Sequence, residues 1–272
     1  MIEETKISPQ HPRAESLINR EKLIKHQKTG IVALAGLIAH GRGEAFDYLL
    51  GEKTTENALK AIKAAAAAML LAKQPVISVN GNAAALAAEG ILNLANVTGS
   101  KIEVNLFHRS RERELAIKQL LETLGAKEIL GIGEAASAQI PEVYSERRRV
   151  DPRGILVADV VLVPLEDGDR TEALRKMDKT VIAIDLNPLS RTAQWASITI
   201  VDNVVRALSI LVKEASILRN EGLEKLRKLV SNFDNQEVLA EAIKLINQRL
   251  SELAREGVYI PEVIEIYQHL ER

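Results

Sequence analysis

The most regular feature of the chain is a set of short apolar stretches that end abruptly in polar residues. β-Branched stretches without polar alternation are typical of strands buried on both faces of a parallel sheet, and ligands bind at the carboxyl ends of such strands. We therefore expect the polar residues to line one shared site. The stretches are residues 76–79, 160–165, 181–184 and 198–201, and the residues directly after them are Asn80, Glu166, Asp185 and Asp202.

The segment from residue 75 to about residue 218 alternates between strand and helix patterns with short connections. This alternation predicts an α/β fold, a Rossmann-like doubly wound and mainly parallel sheet with right-handed crossovers. Residues 133–154, rich in Arg, Pro and Ser, are predicted to form a long loop of the kind that acts as a lid or binding loop. The predicted strands are 76–79, 102–107, 128–132, 159–165, 180–185 and 198–201, and the predicted helices are 83–95, 111–124, 170–177 and 203–218.

Helical patterns flank this core on both sides. An N-terminal segment, 1–74, carries predicted helices at 15–27, 31–40 and 56–72, with breaks at the glycines of positions 30, 41, 43 and 51. A C-terminal segment, 220–272, has apolar residues at helical spacing, which predicts a packing or dimer surface. We expect both segments to form one compact unit with the core of residues 75–219. The apolar residues at helical spacing are Leu239, Ile243, Ile246, Leu250 and Leu253.

Composition narrows the classes of protein that remain. The chain has 272 residues, a formal net charge of -1 and no cysteine, which excludes disulfides, thiolate zinc sites and cysteine nucleophiles. Basic and acidic residues are mixed, so nucleic acid is not an expected partner. The longest apolar stretch, 64–72, is too short to cross a membrane, and the N-terminus does not resemble a secretion signal, so we expect a cytoplasmic protein. The histidines at positions 11, 26, 108 and 269 lack metal-ligand spacing, and no structural metal is expected.

The first polar cluster, Asn80, Gly81 and Asn82, lies between a predicted strand and a predicted helix. Its backbone amides and the start of the helix can bind an anion, such as a substrate phosphate. The alternative is an ordinary Asn-Gly turn with Asn82 as the helix N-cap. The cluster matches neither the Gly-x-Gly-x-x-Gly dinucleotide motif nor the P-loop.

The second cluster places Glu166, Asp167, Asp169 and Arg170 within five residues after a predicted strand. Such a group can bind a magnesium phosphate, position an amine or cap the next helix. Asp169 as a plain N-cap would explain only one of the three carboxylates. The chemistry therefore also leaves Arg170 as a candidate for the substrate phosphate.

Two further clusters suit a nucleotide. An acid and an amide, Asp185 and Asn187, end a strand and are followed by Arg191. The acid can bind hydroxyls, the amide can bind a base edge and the arginine can bind a phosphate. Asn187 before proline is also an ordinary turn signal. Asn203 opens a predicted helix, either as its cap or as a ligand contact. Arg42, between two glycines, is either a phosphate ligand or a solvated residue in a loop that ends a helix.

Five strings of this sequence resemble the archaeal phosphopantothenate synthetase family, and the likeness runs from about residue 11 into the C-terminal helices. The resemblance implies a homodimeric ligase of coenzyme A biosynthesis that joins (R)-4-phosphopantoate to beta-alanine and releases AMP and pyrophosphate through an acyl-adenylate. The strings are AGLIAHGRGEAFDYL at 35–49, VNGN at 79–82, VPLEDGDRTEAL at 163–174, DLNPLSR at 185–191 and IVDN at 200–203.

The resemblance also implies which residues bind ATP, and the family often has Ser where this chain has Thr192. Activation of a carboxylate places it against a polyphosphate, so arginines and Mg2+ are expected to screen the repulsion. The second step needs a group that takes a proton from the amine of beta-alanine, and His40, Glu166, Asp167 and Asp169 are the candidates. The implied ATP residues are Arg20, Arg42, Asp185, Leu186, Asn187, Arg191, Thr192, Asn203, Val204, Val205 and Arg206.

Two other classes of protein share parts of this pattern. A dinucleotide-dependent oxidoreductase would also have an alternating sheet, and Glu103 lies near the spacing of its ribose-binding acid, but the glycine motif is missing. A non-catalytic nucleotide-binding regulatory protein would keep the Arg and Asn contacts without needing the carboxylates of residues 166–169.

Overall fold

A central parallel sheet organises the molecule. The structure is a computed structural model that describes residues 7–8, 10–11 and 13–257, so His269 and the end of the C-terminal segment 220–272 lie outside the described residues. Five of the strands pair in parallel in the order β2-β1-β5-β6-β7, which confirms the predicted α/β, Rossmann-like fold. The strands are β1 (Pro75–Val79), β2 (Lys101–Val104), β3 (Ala138–Gln139), β4 (Arg149–Val150), β5 (Val160–Pro164), β6 (Thr180–Ile184) and β7 (Ile198–Ile200).

Helices cover both faces of this sheet. Strands β1 and β5 are buried along their whole length, which explains why their sequences are apolar without alternation. On one face α3, α4 and α8 pack together, and the alanines of α3 allow close contact; on the other face α6 lies near α7. The helices are α1 (Ala14–Lys28), α2 (Leu34–Leu50), α3 (Glu56–Leu71), α4 (Gly81–Thr98), α5 (Arg111–Thr123), α6 (Gly168–Lys176), α7 (Arg191–Trp195), α8 (Val204–Leu218), α9 (Leu223–Ser231) and α10 (Asn235–Glu256).

The largest difference from the sequence prediction is in α2. The predicted break at the glycines of positions 41 and 43 is wrong, because the helix continues to Leu50 and ends at Gly51, whose φ is +94°. Glycine in a helix interior costs about 1 kcal/mol relative to alanine, a penalty that tertiary packing overcomes. Here Phe46 and Leu50 belong to the core cluster formed with α10, and Arg42 therefore extends from a helix rather than from a loop.

Residues 128–158 also depart from the prediction. The predicted strand at 128–132 is wrong, because only Leu130 bridges to Glu103 of β2. The long loop contains two short 3-10 helices and the antiparallel pair β3 and β4, and α7 was not predicted. Two-residue strands and a five-residue helix are too short to produce a periodic pattern.

Helix caps account for the remaining corrections. The cap of α4 is Asn80, whose side chain accepts from Ala83 N, and not Asn82. Helix α6 begins after Asp167, so Asp169 lies in its first turn and is not the N-cap. The cap proposed for Asn203 is confirmed, since its side chain accepts from Val205 N at the start of α8.

The apolar residues of α10 serve mainly as a packing surface in the single chain. Leu239 is buried against α2 and α7, and Ile246 packs on the same cluster. Ile243 and Leu250 stay partly exposed. Among the described residues, no helix has the length and apolar character needed to span a membrane.

Candidate functional site

A cavity of about 590 Å³ opens at the carboxyl ends of the strands, where the order of the strands reverses. From β1 the chain continues to β2 on one side, whereas from β5 it continues to β6 and β7 on the other. Ligands of doubly wound folds bind in the crevice that this reversal creates. The polar cluster at Asp202 does not line the cavity, so the shared site predicted from four strands draws on only three of them. Its polar lining residues include Asn80, Asn82, Glu166, Asp167, Asp185, Asn187, Ser190 and Thr192 together with four arginines, Arg42, Arg113, Arg147 and Arg191.

Asn80 joins the two halves of the sheet at the floor of this cavity. Its side-chain amide donates to Pro164 O at 2.8 Å and to Leu165 O at 3.0 Å, while its oxygen accepts from Ala83 N. The side chain is therefore saturated by backbone partners. Leu165 has a φ of +55°, which is costly for a residue with a side chain and typical of strained functional turns. Asn80 is thus a clamp that holds the end of β5 against the start of α4.

The start of α4 is packed too tightly for a side chain at position 81. A Cβ on Gly81 would lie 2.2 Å from Ile31 O and 2.8 Å from a guanidinium nitrogen of Arg113. Asn82 donates to Gly36 O at 2.8 Å and so ties α2 to α4. These contacts bring Arg113, α2 and the amino-terminal end of α4 together at one end of the cavity.

Two arginines that sequence analysis missed lie at this end. Arg113 donates to Ile31 O and His108 O, and none of its partners among the described residues is a carboxylate. Burial, and then the nearby Arg147 cation, lower the pKa of Arg113. Two guanidinium groups held close to each other beside a helix amino terminus create a positive region suited to a dianion such as a phosphate.

Arg147 is held in place by both its backbone and its side chain. Asn105, fully buried, donates to the carbonyl oxygens of Arg147 and Arg149 at 3.1 and 3.0 Å. Arg109, paired with Glu114, adds a bond to Arg149 O. The loop that was predicted to act as a lid or binding loop is therefore anchored to the end of β2, with Arg147 over the cavity.

Glu166 and Asp167 are the ion-pair partners of Arg147. Glu166 is 1% exposed and binds both Arg147 and Arg170, while Asp167 Oδ2 lies 2.8 Å from Arg147 Nε. Asp167 is 37% exposed at its side chain and lines the cavity. Burial raises the pKa of Asp167, an effect that Arg147 opposes. Of the two lining acids of this cluster, Asp167 is the more accessible.

The residues after β6 form a self-bonded turn on another wall. Asp185 accepts from Asn187 N at 2.9 Å and from the Ser190 hydroxyl, and burial raises the pKa of Asp185. Thr192 is buried, and its hydroxyl donates to Glu166 O at 2.9 Å. Arg191 lines the cavity but pairs with Glu172 at the surface, where it is 65% exposed. The predicted nucleotide segment 185–187 is therefore both a turn and a wall of the cavity.

Other predicted ATP residues lie in a second polar cluster on α2, which we name the α2 polar cluster. Arg20 pairs with Glu44 at 2.9 Å, and Arg206 pairs with Asp47 at 2.6 Å and with Asp202 at 2.8 Å. The predicted residues that the structure places outside the lining of the cavity are Arg20, Asn203, Val204, Val205 and Arg206. Their role in ATP binding stays a prediction.

Three further candidates also lie outside the cavity lining. His40 is half-buried near Glu44 and Arg20 of the α2 polar cluster, and burial lowers its pKa. Asp169 lies in the first turn of α6, and Arg170 is completely buried. Of the candidate residues, Glu166 and Asp167 therefore line the cavity, whereas His40, Asp169 and Arg170 do not.

The residues that sequence analysis missed carried a detectable signal. Arg113 and His108 follow β2, and Arg147 lies in an arginine-rich stretch of the predicted binding loop. The rule that ligands bind at the carboxyl ends of strands applies to β2 as well as to β1, β5 and β6. The predicted strand 102–107 continued past Asn105, so the polar residue directly after β2 was assigned to the strand and not to the site.

Neither a protein metal cage nor a ribose-binding acid is present among the described residues. They form no group of three or more His, Cys, Asp or Glu side chains that could hold a metal ion. Mg2+ usually keeps several waters and binds through one or two carboxylates plus substrate phosphates, and the acids that line the cavity, Glu166, Asp167 and Asp185, are the carboxylates available for that role. Glu103 is fully buried and accepts from Asp151 N and Ile155 N, so it cannot reach a ribose, which argues against the dinucleotide oxidoreductase.

Known proteins resemble this chain over nearly its whole length. Residues 57–249 match the family model described as phosphopantothenate/pantothenate synthetase. A 4-phosphopantoate--beta-alanine ligase of Methanosarcina mazei is 53% identical over 94% of this chain and 100% of its own length. Ligases of the same name from Thermococcus kodakarensis and Methanospirillum hungatei are 50% and 49% identical over 95% and 90% of this chain, and over 99% and 98% of their own lengths.

Proposed function

Because the chain belongs to the phosphopantothenate/pantothenate synthetase family, we propose that it is an ATP-dependent ligase of coenzyme A biosynthesis. It joins (R)-4-phosphopantoate to beta-alanine and forms 4'-phosphopantothenate, AMP and pyrophosphate. The relatives named above, which carry the name of this ligase, support the assignment at about half identity over almost complete chains.

The observation that favours the phosphorylated acid is the pair Arg113 and Arg147 at the start of α4. A phosphate monoester carries close to two negative charges at neutral pH, and guanidinium groups bind it through paired, charge-assisted hydrogen bonds. Unphosphorylated pantoate would offer no such anion to this positive region. We therefore assign the phosphate to this end of the cavity, together with the backbone of Gly81 and Asn82, in place of the direct contact predicted for Arg170.

The opposite wall suits the nucleotide. The cavity lining near the turn of residues 185–187 includes Arg42, Arg191 and Thr192. In the first step the pantoate carboxylate attacks the α-phosphorus of ATP and pyrophosphate leaves, so an acyl-adenylate forms. Cations that screen the approach of the two anions lower this barrier, and holding both reactants in line contributes up to about 7 to 11 kcal/mol.

The second step requires a free amine next to the activated carbonyl. The amine of beta-alanine attacks the acyl carbon, AMP leaves, and the nitrogen loses a proton. Asp167 is the best-placed acceptor for that proton, since it lines the cavity and its pKa is raised by burial, which strengthens it as a base. Glu166 is ion-paired with two arginines, so its carboxylate is not available to accept that proton. Mg2+ would supply charge neutralisation on the polyphosphate.

A product assay tests the function directly. The purified protein is incubated with ATP, Mg2+, beta-alanine and either 4-phosphopantoate or pantoate, and AMP and amide product are quantified. We expect stoichiometric AMP and amide from the phosphorylated acid and at least tenfold less from pantoate. Release of ADP, or nucleotide binding without acid-dependent turnover, would overturn the proposal and favour the nucleotide-binding regulatory protein.

We also propose that the ligase is a homodimer that works in the cytoplasm, where its phosphorylated substrates are made. Apolar side chains of α2 support the dimer, because Leu34 and Ile38 are 68% and 76% exposed in the single chain. Ala35 and Ala39, next to them on the same helix, line the cavity. A second copy on this face would therefore lie beside the mouth of the site.

A further inference from the structure

Arg170 is a completely buried cation beneath the cavity. It has no exposed surface, and only its Nη1 is bonded, to the Ser78 hydroxyl at 3.1 Å and to Glu166. Its Nε and Nη2 have no hydrogen-bond partner among the described residues. Burial, which disfavours the charged form, lowers the pKa of Arg170, while the carboxylates of Glu166 and Glu103 oppose that effect.

Stability does not explain why an arginine occupies this position. Unsatisfied buried N–H groups are costly, and replacement of both partners of a buried ion pair by apolar residues of similar volume is often neutral or stabilising. A methionine or leucine would fill the same space without unpaired donors. The reason for a guanidinium at position 170 therefore has to be sought in what it holds.

What Arg170 holds is the carboxylate that orients Arg147. One oxygen of Glu166 accepts from Arg170 and the other from Arg147, and the Glu166 side chain is 1% exposed, so it is confined between the two guanidinium groups. Of these residues, Glu166 and Arg147 line the cavity, and Arg147, 8% exposed at its side chain, supplies the positive charge there. These contacts form a chain of hydrogen bonds from Ser78 in β1 through Arg170 and Glu166 to Arg147.

We propose that Arg170 is a positioning residue for the phosphate of the acid substrate. It does not touch the substrate, but it holds Glu166, which directs Arg147 at the phosphate next to Arg113. This inference rests on the proposed function, because the ligand of Arg147 is the phosphate of 4-phosphopantoate. It differs from the direct contact that the sequence suggested for Arg170.

The variant Arg170→Met tests the proposal because it should change the KM for one substrate and leave the KM for the other unchanged. Loss of a residue that orients a ligand-binding group typically weakens binding about 10-fold or more. We expect the KM for 4-phosphopantoate to rise about 10-fold by this rule and the KM for ATP to stay unchanged, while the melting temperature falls because Glu166 loses one partner of a buried ion pair. The matched control is Arg175→Met, in the next turn of α6, where the exposed arginine binds Lys179 O and should alter none of these values.

A double-mutant cycle shows whether Arg170 acts through Arg147. If it does, Arg147→Met raises the KM for 4-phosphopantoate, and the double variant Arg147→Met with Arg170→Met is no worse than Arg147→Met alone. Additive effects, or equal rises in KM for ATP and the acid, would overturn the inference. Arg170→Leu, which also removes the donor to Glu166, should show the same selectivity and serves if the methionine variant does not fold.

The two proposals fail in distinguishable ways. Absence of amide product from the unaltered protein contradicts the proposed function. Normal turnover by the unaltered protein, combined with an unchanged KM for 4-phosphopantoate in both Arg170 variants, contradicts the positioning role alone.

Discussion

At the scale of single residues, the cavity separates acids that look equivalent in the sequence. Glu166, Asp167 and Asp169 lie within four positions, yet the first is bound by two arginines, the second faces the cavity and the third lies outside its lining. Only the three-dimensional arrangement of Arg147 and Arg170 makes this distinction. Asp167 is therefore the carboxylate whose protonation state should matter most for amide formation.

Asp167→Asn should lower kcat by about 100-fold, which is the usual contribution of a positioned base. Because burial raises the pKa of Asp167, the activity of the unaltered enzyme should fall on the acid side as this group takes up a proton. That acid limb should be absent in the variant. Steady-state kcat measured from about pH 4, near the ordinary pKa of an aspartate, to about pH 8 checks both expectations.

Asp169→Asn is the comparison for this experiment, since it removes the same charge two residues away. We expect it to retain most of the activity. A large loss in Asp169→Asn, or an unchanged pH profile in Asp167→Asn, would contradict the assignment of the base.

At the scale of elements, a single buried acid ties the binding loop to the sheet. Glu103 of β2 accepts from Asp151 N at 3.0 Å and from Ile155 N at 2.6 Å, and Gly154 leaves room for its carboxyl. Burial raises the pKa of Glu103 to about 7, with Asp151 adding to the rise and Arg170 opposing it. The connection that carries Arg147 is therefore anchored by a group that titrates near neutrality.

This anchor predicts a pH-dependent stability. Between about pH 4.5 and 7, Glu103 is protonated in the folded chain but ionised in the unfolded chain. The contribution of Glu103 to the free energy of unfolding is therefore fully present below pH 4.5 and is lost as the pH rises through 7. The whole effect is about 3 kcal/mol, since each pKa unit corresponds to about 1.4 kcal/mol. Urea unfolding of the unaltered protein and of Glu103→Gln across this range measures it.

The difference between the stability profiles of the unaltered protein and of Glu103→Gln separates the effect of Glu103 from that of the histidines. Glu103→Gln should remove a fall of this sign, whereas Glu89→Gln, at an exposed site on α4, should leave the profile as it was. Parallel profiles for the unaltered protein and Glu103→Gln would show that Glu103 is ionised throughout.

At the scale of the whole molecule, the apolar face of α2 is one surface that a single chain leaves uncovered. Ile38→Glu should convert the proposed dimer into a monomer, because a charge buried in an apolar contact is strongly unfavourable. Sedimentation velocity measures the mass. Ile217→Glu, on α8 and also exposed at 59%, is the matched control and should remain a dimer. A dimeric Ile38→Glu variant, or a monomeric unaltered protein, would contradict the proposed interface.

Sequence patterns predicted this architecture better than they predicted its site. The buried strands β1, β5, β6 and β7 were found because short uninterrupted β-branched stretches are typical of strands covered on both faces. The break in α2 was wrong because packing of Phe46 and Leu50 outweighs two glycines.

Reasoning from the residues predicted the site mainly where a polar residue follows a strand, and the family resemblance added Arg42, Arg191 and Thr192, which also line the cavity. Asn80, Asp167 and Asp185 fulfil that condition closely enough, and all three line the cavity. Arg147 reaches it from a loop held by Asn105, a tertiary contact between residues 42 positions apart. No periodic pattern reports such a contact, and the same holds for the burial of Arg170.

The clamp at Asn80 also bears on how the molecule is made. Its amide binds carbonyl groups 84 and 85 positions further along the chain, so neither wall of the cavity exists without the other. On a ribosome the first half of the sheet emerges well before the end of β5, and contacts of such sequence separation form slowly. Nascent chains that stop before position 165 therefore carry only one side of the crevice, and the cavity cannot be complete before Thr192, its last lining residue, has been added.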